Sequence, residues 1–332
     1  MCIKKRRPPT RQRPPKKPSS YKEKEAAEER QWLNDVFDKG IAGLKEEFKT
    51  IPWADPEATF KAAKKNNDTS PYKCQDKGRV EMDHTNGEFP YYNANQVELI
   101  YDEYIIASQP TKETAAAFWA MVVNCEHTIY AFDDCFVPTE KNKTVILAEN
   151  AIRVTFISDY VGEFDPVYNP CQSTLVRLES KFGPPKEVVI RVFDGLEQSL
   201  HYYYNEDFEC VSKKIMIVAN DAGYGSLFPV YRYVIWATYV YTADDVNIVC
   251  LYFQILKKTM PEIVKDLRCR RPGLVGTEAQ YLFLYNFLIE KYMDVPKDLN
   301  GKYLKWKEEY KKYEPKIDAN RHKKKESKCL IS

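Results

Sequence analysis

Apolar residues near the start of the chain recur at steps of three and four positions. They are Trp32, Val36, Phe37, Ile41, Leu44 and Phe48. This spacing places them on one face of an amphipathic helix, so helical structure is predicted from about residue 21 onward. Gly40 and Gly43 are expected to divide the segment into two helices, because glycine is a poor helix former. A third, short helix is predicted over residues 56–65.

The rest of the chain alternates between strand-like and helical patterns. Runs dominated by β-branched and aromatic residues predict strands at residues 79–82, 128–132, 152–157, 174–178, 188–193 and 214–218. Helical patterns follow at residues 228–241, 243–260 and 278–292, and a charged helix-like run occupies residues 302–328. Charged residues interrupt the most apolar stretch, residues 227–256, which is therefore predicted to be buried core and not a membrane span.

These patterns divide the chain into three parts. Residues 1–20 are rich in Pro, Lys and Arg and have little to bury, so they are predicted to be a disordered basic tail. Residues 21–292 are predicted to form one α/β domain, in which a central mixed, twisted sheet is flanked by helices and preceded by a helical extension. Residues 293–332 are predicted to be a charged helix and a second basic tail.

The distribution of charge narrows the range of possible partners. Residues 1–20 carry +8 and residues 321–332 carry +4, so the net charge of +2 leaves −10 for residues 21–320. A nucleic-acid-binding domain has its positive charge on the folded body, and nucleic acid is therefore not expected as a partner. Basic tails on an acidic body fit contact with an anionic membrane surface.

The cysteines do not form a recognisable site. Nine cysteines are scattered along the chain without a Cys-x-x-Cys pair, and their number is odd. This pattern argues against a zinc site and against a secreted disulfide framework. The first residues contain no apolar signal-peptide core, so we expect a cytosolic or cytosol-facing protein without a metal or other cofactor.

Several short motifs occur in order between about residue 40 and residue 292. They are Tyr91-Tyr92-Asn93-Ala94-Asn95, Tyr104-Ile105-Ile106-Ala107-Ser108-Gln109-Pro110, the group Thr114, Phe118-Trp119, Met121-Val122 and Thr128-Ile129, and finally Arg268, Arg271-Pro272-Gly273 and Thr277-Glu278-Ala279-Gln280-Tyr281. Together they resemble the catalytic domain of the tyrosine-specific protein phosphatases, which implies that fold. The divergence and the N-terminal extension resemble the phosphatase-like families of nematodes.

In that family, a loop after a buried strand carries the nucleophilic Cys and a phosphate-clamping Arg, in the pattern His-Cys-x-x-Gly-x-x-Arg. The corresponding residues are Ala219-Asn220-Asp221-Ala222-Gly223-Tyr224-Gly225-Ser226. The resemblance implies that Asn220 replaces the Cys and Ser226 replaces the Arg. A carboxamide is not a usable nucleophile at phosphorus, and serine lacks the planar bidentate cation. Asp221 adds a negative charge where phosphate would bind.

The acid that protonates the leaving phenolate is also missing in its usual form, because Trp-Pro-Asp does not occur in the chain. One alignment makes Phe193-Asp194-Gly195 its remnant and keeps a carboxylate. The other places Leu196-Glu197-Gln198 there and is favoured by the strand register. A turn role before Gly195 is the alternative reading of Asp194.

The expected rim of the pocket keeps part of the family pattern. Tyr72 retains the ring that would flank a phenol, although packing on the rim alone is the alternative, and Cys74 stands in place of an Asp. Gly276 replaces the Gln that positions water, whereas Gln280 is retained. The expected rim residues are Tyr72, Asp194, Gln198, Gly276 and Gln280. Cys210 and Cys250 have no anion-loop sequence beside them, so neither is expected to be a displaced nucleophile.

Cys329-Leu330-Ile331-Ser332 matches the C-a-a-X pattern for farnesylation and follows a basic cluster. Prenylation of Cys329 is therefore expected, and a chance match of a short motif is the alternative. One isoprenoid gives only marginal membrane affinity, to which each nearby Lys or Arg adds about 1 kcal/mol on an anionic leaflet. The expected location is the cytosolic face of a membrane.

These features favour a catalytically inactive phosphatase-like protein that binds a protein partner, either a kinase or a phosphoprotein. One alternative is a weak or non-standard hydrolase that uses Asp194 or Asp221. Another is an adaptor that acts through its tails while the pocket is inert.

Overall fold

The structure is a computed structural model, and it describes residues 19–70, 72–99, 102–131, 138, 140–159, 172–193, 214–219 and 259–313. Helices and strands are numbered here in chain order within those residues. The helix predicted over residues 228–241, nearly all of the one over residues 243–260, and the two tails at residues 1–18 and 314–332 lie outside the described part.

The first two helices match the predictions in part. Helix α1 is Ser19–Lys49, and Gly40 within it has non-helical angles (φ 61°, ψ 179°), which confirms a break at that glycine. The break lies at Gly40 alone, and the helix continues through Gly43. Helix α2 is only Lys61–Lys65. Its start is fixed by Asp76, whose carboxylate accepts the amide N–H groups of Lys61 (2.8 Å) and Ala62 (2.9 Å).

The described strands form one sheet. They are β1 (Ala94–Leu99), β2 (Asp102–Ser108), β3 (Thr128–Ala131), β4 (Thr144–Leu147), β5 (Ile152–Asp159), β6 (Gln172–Ser180), β7 (Gly183–Val192) and β8 (Lys214–Ala219). Their order is β1-β2-β8-β3-β7-β6-β5-β4. The pairs β2/β8, β8/β3 and β3/β7 are parallel, and the remaining pairs are antiparallel. The sheet is therefore mixed, as predicted.

One predicted strand is wrong and three observed strands had no prediction. Residues 79–82 form only an isolated bridge, between Arg79 and Asn95, before a 3-10 turn at Asp83–Thr85. Strand β1 has three polar residues in six, whereas β2 and β4 contain short apolar runs that the pattern did not assign. The other five predicted strands coincide with β3, β5, β6, β7 and β8, apart from their ends.

The remaining helices cover the two faces of the sheet. Helix α3 is Ala115–Val123, α4 is Met260–Arg270, α5 is Glu278–Tyr292 and α6 is Asn300–Tyr310. Strand β8 is buried on both faces: Ile215 and Ile217 join the core under α1, α4, α5 and α6, whereas Met216 and Val218 join the core under α3. No described helix is both long and apolar enough to cross a lipid bilayer.

Helices α1 and α6 lie side by side and run in the same direction. The ring of Phe37 lies 6.2 Å from the rings of both Tyr303 and Trp306, and Trp306 is buried. Polar contacts follow the pair in order along both helices. Arg30 binds Asp298 at the start of α6, Lys302 binds Asp38, and the Lys45 ammonium lies 5.1 Å from the Tyr313 ring at its end.

The parallel strands end together at one edge of the sheet. Ser108, the last residue of β2, pairs with Ala219 of β8, and Ala131 of β3 pairs with Val218. Ligands of open α/β sheets bind beyond the carboxyl ends of parallel strands. The loop that follows Ala219 therefore starts at the edge where a site is expected.

A cluster of charged groups lies at the opposite edge, around the buried side chain of His127. Its ring nitrogens have no hydrogen-bond partner among the described residues, and Glu103 lies 3.6 Å from Nε2. Lys214 lies 4.0 Å from Glu103 and 3.2 Å from Glu126, and Lys186 of β7 also faces the cluster. Burial lowers the pKa of His127, because the imidazolium is disfavoured, and Glu103 offsets only part of this effect.

We expect the free energy of unfolding to decrease as the pH falls, because of His127. Its folded pKa lies below the unfolded value of 6.5, so the unfolded chain takes up a proton first. The destabilisation begins near pH 6.5, grows as the pH falls towards the folded pKa and is absent well above pH 7. Between pH 7.5 and pH 5.5, urea unfolding should show wild type losing more free energy of unfolding than His127→Phe. Equal losses in the two proteins would contradict this assignment.

Candidate functional site

The structure describes only part of the predicted site. Ala219 is the last residue of β8, and the other seven residues of the predicted phosphate loop, 220–226, lie outside the described part. Asp194, Gln198 and Cys329 also lie outside it. Tyr72, Gly276 and Gln280 are described, and the structure brings the first two into contact.

Tyr72 lies directly on the closing loop, which we define as residues 271–277. A Cβ atom at Gly276 would lie 2.7 Å from Cε1 and 2.8 Å from the hydroxyl oxygen of Tyr72. A Cβ atom at Gly273 would lie 2.3 Å from Cδ1 of the same ring. The ring therefore fills the space that side chains at these two positions would need, and the glycines are what allow Tyr72 to sit there.

Trp53 completes this contact and was not identified from the sequence. Its ring lies 5.2 Å from that of Tyr72, and its carbonyl accepts the Gly273 N–H at 3.0 Å. Trp53 is 43% exposed, so it lies at the surface beside Tyr72. The only signal in the sequence was an isolated aromatic residue between Pro52 and Asp55, which is too weak to assign a position.

The closing loop is held from inside by Arg268, a fully buried residue of α4. Its guanidinium donates to the carbonyls of Ile51 (2.9 Å) and Pro52 (3.0 Å) on one side. On the other side it donates to Leu274 (3.0 Å) and Val275 (2.7 Å). Burial lowers the pKa of Arg268 to about 10, which leaves it charged at neutral pH. Arg268 therefore joins the end of α1 to the closing loop.

A second buried arginine connects the closing loop to Tyr72. Arg271 donates to the side-chain oxygens of Asn95 (3.1 Å) and Asn93 (3.2 Å). The Asn93 amide in turn donates to the Tyr72 carbonyl and to Asp68, both at 3.0 Å. The Tyr91 hydroxyl donates to the same Asp68 carboxylate at 2.7 Å. The motif at residues 91–95 thus fixes the backbone beneath the rim.

The described cysteines have thiol pKa values that are too high for nucleophiles. Cys74 is completely buried and its thiol donates to the Ala94 carbonyl at 3.2 Å. Burial raises the pKa of Cys74 and of Cys125 to about 11, and it also raises the pKa of Cys269. A nucleophilic cysteine needs a lowered pKa, so the raised pKa values argue against a nucleophilic role for these three thiols.

Gln280 has a structural contact in addition to any role in the pocket. Its side-chain oxygen accepts the Thr277 N–H (3.1 Å), and its own N–H donates to the Thr277 hydroxyl (3.2 Å). This capping box begins α5. No group of three or more His, Cys, Asp or Glu side chains is placed to hold a metal ion within the described residues.

Comparisons with known proteins agree with this architecture. Residues 63–132 match the family model described as protein-tyrosine phosphatase. No curated protein sequence matches the chain. Among solved structures, the Trypanosoma cruzi protein tyrosine phosphatase TcPTP1 is similar, with a TM-score of 0.54 and 14% sequence identity over 75% of this chain and 91% of that one. At this identity the match bears on the fold alone.

The predicted fold class is therefore confirmed by the sheet, by the N-terminal helix and by the structural match. The matched segment runs from α2 to the end of β3 and includes Tyr72, Asn93 and Asn95, whose contacts support the rim. This chain has the fold of the protein tyrosine phosphatases and, over residues 63–132, the sequence pattern of that family.

Proposed function

We propose that this protein is a catalytically inactive member of the tyrosine phosphatase group that binds a protein partner at a membrane surface. The observation that carries the proposal is the residue that follows β8. Strand β8 lies between β2 and β3 and is parallel to both, so its carboxyl end supports the alignment of the loop at residues 219–226. In that alignment the first loop position after Ala219 is Asn220, where the phosphatases have their cysteine.

The chemistry of the loop residues supports loss of catalysis. Transfer of a phosphoryl group to the protein needs a thiolate, and the Asn220 carboxamide has none to offer. Ser226 cannot make the two parallel hydrogen bonds by which an arginine holds phosphate. A carboxylate such as Asp221 at about 4 Å from a phosphate costs on the order of 1–4 kcal/mol per charge pair. Phosphate binding is therefore weakened together with catalysis.

The described part of the scaffold beside the site is held by buried hydrogen bonds, which supports a binding role for the remaining surface. Arg268 and Arg271 are both buried and hydrogen-bonded, and they fix the closing loop and the backbone of Tyr72. In this proposal the catalytic cysteine and the phosphate-binding arginine are lost, while the described residues that support the site remain. A protein that uses its surface to hold a partner has this combination, and a kinase or phosphoprotein is the partner that the fold suggests.

The tails supply the membrane contact in this proposal. Residues 1–20 carry +8, and five Lys or Arg residues lie within 321–328, just before Cys329. A prenyl group on Cys329 together with a basic segment supplies the two signals that stable membrane anchoring requires. Mass spectrometry of the protein from eukaryotic cells tests the modification directly: a farnesyl adduct at Cys329 is expected.

Calorimetry with inorganic phosphate and a phosphotyrosine peptide tests the pocket. We expect no hydrolysis and no measurable binding by wild type. The variant Asn220→Cys/Asp221→Ser/Ser226→Arg should gain phosphate binding, because it restores the cation and removes the carboxylate. Asn220→Cys alone is the matched control and should not bind, since it adds only the thiol.

Two results would change the proposal. Phosphoester hydrolysis by wild type that disappears in Asp221→Ala would establish the alternative of a non-standard hydrolase. Phosphopeptide binding by wild type without hydrolysis would make the protein a phosphotyrosine reader that shields its target. Circular dichroism of each variant confirms that it is folded.

A further inference from the structure

The outer face of α6 combines lysines with an exposed leucine. The face consists of Leu304, Lys305, Glu308, Lys311 and Lys312, and we call it the α6 stripe. Glu308 follows Leu304 and Lys305 by four and three positions and precedes Lys311 and Lys312 by three and four, so the five residues lie on one side of the helix and of the turn that follows it. All five are exposed, and the leucine is 55% exposed. The opposite side of α6, with Trp306 and Tyr310, is buried against the core.

The lysines of the stripe differ from the other lysines of α6. Lys302 forms an ion pair with Asp38 of α1, and Lys307 forms one with Glu290 of α5 at 3.0 Å. Among the described residues, no carboxylate lies within ion-pair distance of Lys305, Lys311 or Lys312. Within the part of the chain that the structure describes, these three charges are available to an external anionic group.

We infer that the α6 stripe is the surface by which the folded domain lies on an anionic lipid leaflet. Interfacial helices typically combine lysines, which reach lipid phosphates, with an apolar side chain, which enters the acyl boundary. The net negative charge of residues 21–320 argues against nucleic acid as the partner, and a purely acidic protein surface would leave Leu304 exposed. The inference rests on the proposed membrane association and adds the face of the domain that makes contact.

The chain beyond α6 supports this choice of partner. Residues 314–332 contain six Lys or Arg and three Asp or Glu, so the positive charge of the stripe continues along the sequence. Cys329 follows Tyr313 by 16 residues, a distance that cannot exceed about 55 Å even in a fully extended chain. A lipid on Cys329 would therefore hold the stripe close to the leaflet, at a high effective concentration.

Co-sedimentation with vesicles tests the inference. Full-length protein, unmodified and farnesylated at Cys329, is mixed with phosphatidylcholine vesicles with or without about 30% phosphatidylserine. Both forms should bind the anionic vesicles better than the neutral ones. Lys305→Gln/Lys311→Gln/Lys312→Gln should weaken binding about tenfold or more, and Leu304→Asn should weaken it about threefold and reduce the binding that remains at high salt.

Helix α2 provides a matched control. Lys61→Gln/Lys64→Gln/Lys65→Gln removes the same charge from three other exposed lysines and should leave vesicle binding unchanged. If wild type binds and the stripe and α2 variants weaken equally, the stripe inference is wrong although membrane association stands. If farnesylated wild type does not bind at all, the proposed membrane association fails as well. Unchanged vesicle binding by the stripe variant, with loss of binding to polyglutamate, would instead assign the stripe to an acidic protein.

Discussion

Replacement of Arg268 with methionine is expected to lower the free energy of unfolding by about 3–5 kcal/mol. Methionine fills much of the same volume but donates no hydrogen bond. The four carbonyls that Arg268 satisfies, on residues 51, 52, 274 and 275, would lose their donor in a dry environment. Relief of the buried charge offsets part of this loss but not all of it, because several acceptors depend on one side chain.

Guanidinium unfolding of three variants tests this expectation. Arg268→Lys should lie between wild type and Arg268→Met, since one ammonium group cannot reach carbonyls on both sides of the planar fork. Arg177→Met is the matched control: this arginine is 54% exposed on β6, and its loss should cost less than about 0.5 kcal/mol. Equal stability of Arg268→Met and Arg177→Met would show that Arg268 does not hold the closing loop.

Gly273→Ala is expected to cost about 2–4 kcal/mol. Gly273 has a φ of 76°, a backbone region that costs alanine about 1 kcal/mol or more. The added Cβ would also lie 2.3 Å from Tyr72 and 2.6 Å from Trp53, so the rim has to shift. Gly301→Ala in α6 has open space around it and should stabilise the protein slightly.

A double-mutant cycle separates the two causes. In a Tyr72→Ala background, Gly273→Ala should cost at least about 1 kcal/mol less than in wild type, because the closest clash has been removed. The free-energy cost of placing alanine at a positive φ should remain in both backgrounds. If the cost is the same in both backgrounds, the Tyr72 ring does not occupy the space above Gly273.

The sequence predicts best where one local pattern determines an element. Helix α5 has the predicted bounds because the Thr277–Gln280 capping box marks its start and an apolar face follows. Strand β8 was predicted because it is buried on both faces and therefore apolar throughout. Strand β1 was missed because it lies at the edge of the sheet and contains residues that are depleted in strands, such as Asn95 and Glu98.

The candidate site was predicted only as far as the family motifs reach. Tyr72 and Gly276 were placed at the rim by resemblance, and their contact is consistent with that placement. The role of Arg268 depends on carbonyls 216 and 217 positions away, and backbone acceptors leave no trace in a sequence. Contacts of this kind appear only when the chain is folded, which is why Trp53 and the arginine network were not foreseen.

The parallel course of α1 and α6 has a geometric consequence. The described chain enters at Ser19 and leaves at Tyr313, and the α1 residue beside Tyr313 is Lys45. At 1.5 Å per residue, these points of entry and exit are separated by about 35–40 Å along the helix pair. The two basic tails thus start from opposite ends of this helix pair. In the proposed membrane-bound state, attachment of both tails would hold the axis of this helix pair close to the plane of the leaflet, and contact by the α6 stripe would then fix the rotation about that axis.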